Sequence, residues 1–113
     1  MITVIISALN EDKTVGFVVT LALQSPNVTE VIVVDDKSMD ETVETARLAG
    51  ATVITSTKLG KGASMKDGVM MAKNKILVFL DADITTYVHD VVEILSGPII
   101  NDKADFVKSY FSR

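Results

Sequence analysis

Residues 75–83 read Lys-Ile-Leu-Val-Phe-Leu-Asp-Ala-Asp, and this stretch decides the fold. From Ile76 to Leu80 there is no charge and no polar side chain, and the run then stops on two carboxylates, Asp81 and Asp83. An apolar run without alternation suits a strand covered on both faces, as in a parallel sheet. A strand with one wet face would instead alternate. The two carboxylates then fall at the strand's carboxyl end, where open α/β sheets bind their ligands.

Three similar runs precede this one: Ile2–Ala8 (ITVIISA), Glu30–Asp36 (EVIVVDD) and Ala51–Ser56 (ATVITS). A fifth, Ala104–Tyr110 (ADFVKSY), follows it. The segments between them carry helical spacing. Val15, Val18, Val19, Ala22 and Leu23 fall on one helical face. Asp40 can cap a second helix that Gly50 would end. Met65, Val69 and Ala72 mark a third helix. Val88, Val91, Val92 and Leu95 mark a fourth, predicted to stop at Gly97-Pro98. The order predicted is β-α-β-α-β-α-β-α-β. With right-handed crossovers this is an α/β fold: an open, mainly parallel, Rossmann-like sheet with helices on both faces.

Length and composition narrow the function classes. The 113 residues suit one domain, 1–113. With 48% hydrophobic and 23% charged residues, a core can form and a disordered tail is excluded. The chain has no cysteine, which excludes disulfides, zinc–cysteine sites and thiol catalysis. A net charge of −4 argues against nucleic acid as a partner. No apolar run reaches the roughly 18 residues of a transmembrane helix. No basic stretch precedes an apolar one at the N-terminus, so the expected location is the cytoplasm.

Polar side chains gather at the strand ends. They are Leu9-Asn10-Glu11-Asp12 after the first strand and Asp35 to Asp40 after the second. Lys58-Leu59-Gly60-Lys61-Gly62 follows the third, and Asp81-Ala82-Asp83 the fourth. Residues i and i+2 of an extended segment point the same way, so Asp81 and Asp83 would share one spot. Two carboxylates there repel each other unless a cation lies between them. Oxygen ligands of this kind suit Mg²⁺ or Mn²⁺ bridged to a diphosphate; the plainer reading is a solvated turn with a helix cap. Asp36 is placed to accept from a base or ribose, whereas Ser38 and Asp40 read as caps. Lys61, in a glycine-flanked loop opening a helix, suits a phosphate or nucleoside contact. Glu11 either contacts a ligand or favours a helix dipole. His89, the one histidine, reads as a surface residue. Met65, Met70 and Met71 read as core or partner contacts. Neither a dinucleotide glycine fingerprint nor a full NTPase phosphate loop is present.

Taken in order, four motifs occur at successive strand ends: Ala-Leu-Asn-Glu at Ala8–Glu11, Asp-Asp-x-Ser-x-Asp at Asp35–Asp40, Gly-Lys-Gly at Gly60–Gly62, and Asp-Ala-Asp at Asp81–Asp83. This pattern resembles the nucleotide-sugar-binding half of family 2 glycosyltransferases of the GT-A fold. The resemblance implies that Ala8, Leu9, Asn10 and Glu11 pack on the nucleobase, and that Asp36 contacts it. It implies Lys61 near the nucleoside or phosphates, Asp81 at the ribose or metal, and Asp83 on a divalent cation, Mg²⁺ or Mn²⁺. Leu9 stands where many relatives carry an aromatic residue, so stacking would give way to plain apolar contact. The implied donor is a UDP- or GDP-sugar. The segment Phe106–Arg113 (FVKSYFSR) is similar to glucosyl-3-phosphoglycerate synthases, which implies 3-phosphoglycerate as acceptor.

Asp90, Glu93, Asp102 and Asp105 carry no motif, so no catalytic base is assigned. The resemblance places the acceptor site beyond Arg113 and reads the chain as the donor part of a longer enzyme, inactive alone. The alternatives are a dolichol- or polyprenyl-phosphate sugar transferase and a non-catalytic nucleotide-binding scaffold.

Overall fold

The computed structural model describes residues 1–57, 60–87, 91–100 and 107–108. Its elements are β1 (Ile2–Ala8), α1 (Val15–Leu23), β2 (Val28–Asp35), α2 (Thr42–Ala49), β3 (Thr52–Thr55), α3 (Lys61–Met71), β4 (Ile76–Asp81), α4 (Val91–Ile100) and β5 (Val107–Lys108). The strands form one sheet in the order β3-β2-β1-β4-β5, and every pair is parallel. This is the open α/β sheet that the alternating pattern predicts.

β1 lies between β2 and β4, which explains its uncharged, β-branched sequence. Ile2, Val4, Ile5 and Ile6 are all fully buried, and stiff branched side chains fit a pleated surface covered on both sides. On one face, Val4, Ile6, Val31, Val33, Val78 and Leu80 meet α1, α2 and α4 through Val18, Val19, Ala22, Ala46, Val91 and Leu95. On the other face, Ile5, Ile32, Val34 and Phe79 form a smaller cluster with Met65 and Ala72, at α3. The chain travels from β1 to β3 in one direction and then jumps back across the sheet to β4. Keeping the crossover right-handed on that return takes α3 to the opposite face.

Two glycines fix details that side-chain patterns do not. Gly50 ends α2 at φ 112, and its N–H donates to the Arg47 carbonyl at 3.0 Å. A glycine takes this left-handed conformation without steric cost. Gly68 lets α3 lie close on the sheet. A Cβ there would stand 2.4 Å from Ile5 Cγ2.

Several boundaries differ from the sequence expectation. β2 ends at Asp35, so Asp36 is the first residue past the strand rather than its last. Val69 does not face the core and is 42% exposed. The buried face of α3 runs instead through Ser64 and Gly68, residues too small to register in an apolar period. α4 passes through Gly97-Pro98 to Ile100. A proline's fixed φ is compatible with an α-helix, but inside one it removes a backbone hydrogen bond and crowds the preceding turn, so α4 continues against that local preference. Asp40 stands one residue before the α2 N-cap position, held by Glu41, yet its Oδ1 accepts the Thr42 N–H at 2.9 Å. Of the expected last strand only Val107–Lys108 is described. Val88, His89, Lys58 and Leu59 lie outside the described residues. No helix among the described residues is long and apolar enough to cross a membrane.

Candidate functional site

A cleft of about 320 Å³ opens at the carboxyl ends of β1, β2 and β4. β1 and β4 are neighbours in the sheet although β2 and β3 intervene in the chain, so this is the point where strand order reverses. The strand ends are level there. Ser7 pairs with Asp81, and Ala8 with Asp35. The Ala82 N–H donates to the Ser7 carbonyl at 3.2 Å, and the Asp36 N–H donates to the Ala8 carbonyl at 2.9 Å.

Of the residues expected at the site, Ala8, Leu9, Glu11, Asp36, Asp81 and Asp83 line this cleft. Leu9 is 48% exposed and gives it an apolar wall. Lys61 is the first residue of α3 and follows Gly60, which also lines the cleft.

Asp36 has two unlike oxygens. Its Oδ2 accepts the Gly60 N–H at 3.2 Å. Its Oδ1 is buried and has no hydrogen-bond partner among the described residues. A buried acceptor left unpaired is costly, so a ligand N–H or O–H reaching it would recover that cost.

Asp81 and Asp83 differ in exposure. Asp81 is 8% exposed, and its backbone N–H donates to the Tyr87 hydroxyl at 2.9 Å. Asp83 is exposed at the cleft. No group of three metal-ligating side chains forms among the described residues. Two carboxylates lining one cleft, with the other positions left to phosphate and water, match the way Mg²⁺ and related hard cations bind beside a diphosphate. The residues present therefore fit such a cation.

Asn10 has a different place from the one expected. It does not line the cleft. It sits at φ 54, its Oδ1 accepts the Met39 N–H at 2.7 Å, and its N–H donates to Ser38 Oγ at 2.8 Å. Ser38 is anchored in turn on Asp35, whose buried carboxylate accepts the Ser38 N–H at 3.0 Å and hydroxyl at 2.5 Å. Glu11 N–H donates to Thr42 Oγ1 at 2.8 Å, and Asp12 N–H donates to Asp40 Oδ2 at 3.2 Å. The loops after β1 and β2 are thus joined side by side, and Asn10 holds the wall that Leu9 and Glu11 form. Partial desolvation acts to raise the Asp40 pKa, but hydrogen bonds from Thr42 and Asp12 outweigh it and hold the carboxyl below its ordinary range.

Sequence reasoning missed Ser7 and Ser64, which also line the cleft. Ser64 is 1% exposed, on the first turns of α3. Its one signal is spacing, because it stands four residues before Gly68, on the face that the glycine presses onto the sheet.

The chain is 39% identical over 100 residues to a 4,4'-diaponeurosporenoate glycosyltransferase of Staphylococcus aureus, covering 83% of this chain and 27% of that protein. It superimposes on the glucosyl-3-phosphoglycerate synthase of Mycobacterium tuberculosis solved with UDP, with a TM-score of 0.82 and 29% identity, over 88% of this chain and 40% of the other. The same synthase solved with Mn²⁺, UDP and glucosyl-3-phosphoglycerate gives 0.80 and 30%, over 88% and 39%. The chain therefore spans about a quarter of the length of the curated relatives it matches. The family model for glycosyl transferase family 2 matches residues 3–109. Sheet order, cleft position and sequence agree, and the chain belongs to glycosyl transferase family 2.

Proposed function

We propose that this chain is the donor-binding part of a sugar transferase and takes a UDP-sugar with Mg²⁺ or Mn²⁺. The observation that carries this reading is the buried, unpartnered Asp36 Oδ1 in the same cleft as Asp81 and Asp83. Oδ2 already accepts from Gly60, so Oδ1 is the oxygen most open to a base. Uracil presents one ring N–H between two carbonyls and needs one acceptor. Guanine presents two adjacent donor groups and needs both oxygens of a carboxylate. UDP is therefore preferred over GDP. Leu9 and Ala8 would cover the base, and Glu11 would bound its pocket.

Asp83, with Asp81, would hold the cation, which when bound neutralises charge on the departing diphosphate as a Lewis acid. Lys61 would meet the nucleoside or phosphates. The solved relatives bound to UDP with Mn²⁺ or Mg²⁺ support this assignment.

For the acceptor, 3-phosphoglycerate is supported by solved relatives that hold phosphoglyceric acid. A second reading, 4,4'-diaponeurosporenoate or a similar carboxylate, is favoured by the 39% identity to a 4,4'-diaponeurosporenoate glycosyltransferase.

Calorimetry tests the donor reading. UDP should bind in the presence of Mn²⁺, more weakly with EDTA, and GDP more weakly than UDP in both. Equal binding of the two nucleotides, or none by either, would overturn it. Incubating the full-length protein with UDP-glucose and each acceptor in turn separates the two acceptor readings.

A further inference from the structure

We propose that Asp67 is a positioning residue that fixes where the start of α3, Gly60-Lys61-Gly62, stands at the cleft. This inference rests on the nucleotide-binding reading above. Asp67 lies on the second turn of α3 and does not line the cleft. Its carboxylate gathers the residues just after β3. Oδ2 accepts the Thr57 N–H at 2.8 Å, and the Thr57 hydroxyl lies 3.0 Å from Oδ1 and 3.1 Å from Oδ2. The Ser56 hydroxyl reaches Oδ2 at 3.4 Å. Ser56 is itself fixed to the sheet, since its N–H donates to the Asp35 carbonyl at 2.8 Å.

Two further contacts complete the placement. Next to Asp67, Gly68 seats the helix on Ile5, so the axial position of α3 is set by these two consecutive residues. Beyond Thr57, the Gly60 N–H is held by Asp36. The segment that carries Lys61 therefore has one tether at Thr57 and another at Gly60. The Thr57 tether uses charge-assisted bonds to an ionised carboxylate, the stronger kind. The Thr57 N–H is the main cause that holds the Asp67 carboxyl below its ordinary range, so the acceptor stays ionised through neutral pH.

A merely structural Asp67 would, when removed, lower stability and leave the nucleotide affinity alone. A positioning Asp67 acts through Lys61, so the two effects are not additive. The test measures UDP affinity with Mn²⁺ for wild type, Asp67→Ala, Lys61→Ala and the double variant, well below each melting temperature. Asp67→Ala is expected to weaken UDP about five- to twentyfold, the loss of a well-placed contact rather than of the whole site. The double variant should bind no more weakly than Lys61→Ala. Asp67→Asn keeps one acceptor oxygen and should recover part of the affinity; it also serves if Asp67→Ala fails to fold. Amide exchange of the ligand-free protein should rise in peptides spanning 56–64 of Asp67→Ala and stay unchanged in β1 and β4. Wild-type affinity in Asp67→Ala, or additive losses in the double variant, would overturn the inference while leaving the nucleotide reading standing. A wild-type protein that binds no nucleotide would overturn both.

Discussion

Asp36 and Gly60 are joined by one hydrogen bond of 3.2 Å, from the Gly60 N–H to Asp36 Oδ2. The bond links the residue just past β2 to the residue just before α3, and both line the cleft. It also divides the labour within one carboxylate. Oδ2 holds the loop, and Oδ1 is left buried for a ligand.

Replacing Asp36 by Asn separates those tasks. The amide oxygen can still accept from Gly60, which turns an NH₂ donor towards the base. A hydrogen bond to a charged group contributes about 1.5–3 kcal/mol, so UDP affinity should fall by at least about tenfold. Stability should not fall, because Oδ1 has no partner to lose in the free protein. Calorimetry with UDP and a thermal melt on the same variant read both quantities. Undiminished affinity would remove Asp36 from the base site.

Asp83→Ala should remove the effect of the metal on binding. Its side chain is exposed, unlike that of Asp81, which is 8% exposed and sits against Tyr87. The expected result is that Mn²⁺ no longer strengthens UDP binding, with the affinity in EDTA close to wild type. A variant that keeps its response to Mn²⁺ would mean that Asp83 is no ligand. Asp81→Ala should lose the response to Mn²⁺ and also some stability, since it empties a nearly buried position.

The sequence shows most plainly what burial on two faces and charge at strand ends write into it. β1 and β4 are readable because no charge stands between their two covered faces, and Asp36, Asp81 and Asp83 are readable because charge appears at the strand ends. What escapes reading is contact made by absence of a side chain. Gly68 and Ser64 bring α3 onto the sheet, yet in an apolar count they are blanks, and the count chose Val69 instead. Asn10 escapes for another reason. Its motif places it beside the base, but its left-handed backbone turns its carboxamide onto the neighbouring loop. A helical stop at Gly97-Pro98 is a local preference that α4 overrides.

Gly68→Ala tests the close approach of α3. In an exposed helix, alanine would add about 1 kcal/mol of stability over glycine. Here the new Cβ would meet Ile5 Cγ2 at 2.4 Å and Val34 Cγ2 at 3.3 Å, and both side chains are buried in the sheet. Overpacking of a tight site costs about 1–3 kcal/mol, and so short a contact belongs at the upper end. The net expectation is a loss of about 1–2 kcal/mol in urea unfolding, together with weaker UDP binding as α3 shifts. A stabilised variant would show that the helix can lift without consequence.

Acid should act through Asp67 and Asp40. Both have folded-state values below the ordinary 3.8. The Thr57 backbone bond is the main cause for Asp67; for Asp40, desolvation opposes the shift and the bonds from Thr42 and Asp12 overcome it. Between the folded and unfolded values the unfolded chain binds a proton that the folded chain does not, so stability rises with pH there. The contribution is fully present above the unfolded value and is lost as pH falls through the lowered folded values. Melting temperature should therefore begin to decline as pH falls from about 5 and keep declining below 3.8, through the lowered folded values. Asp67→Asn carries no such proton, so its curve should lie lower at pH 6 and decline less steeply. Parallel curves for the two proteins would show that the Thr57–Asp67 bonds do not depend on the charge.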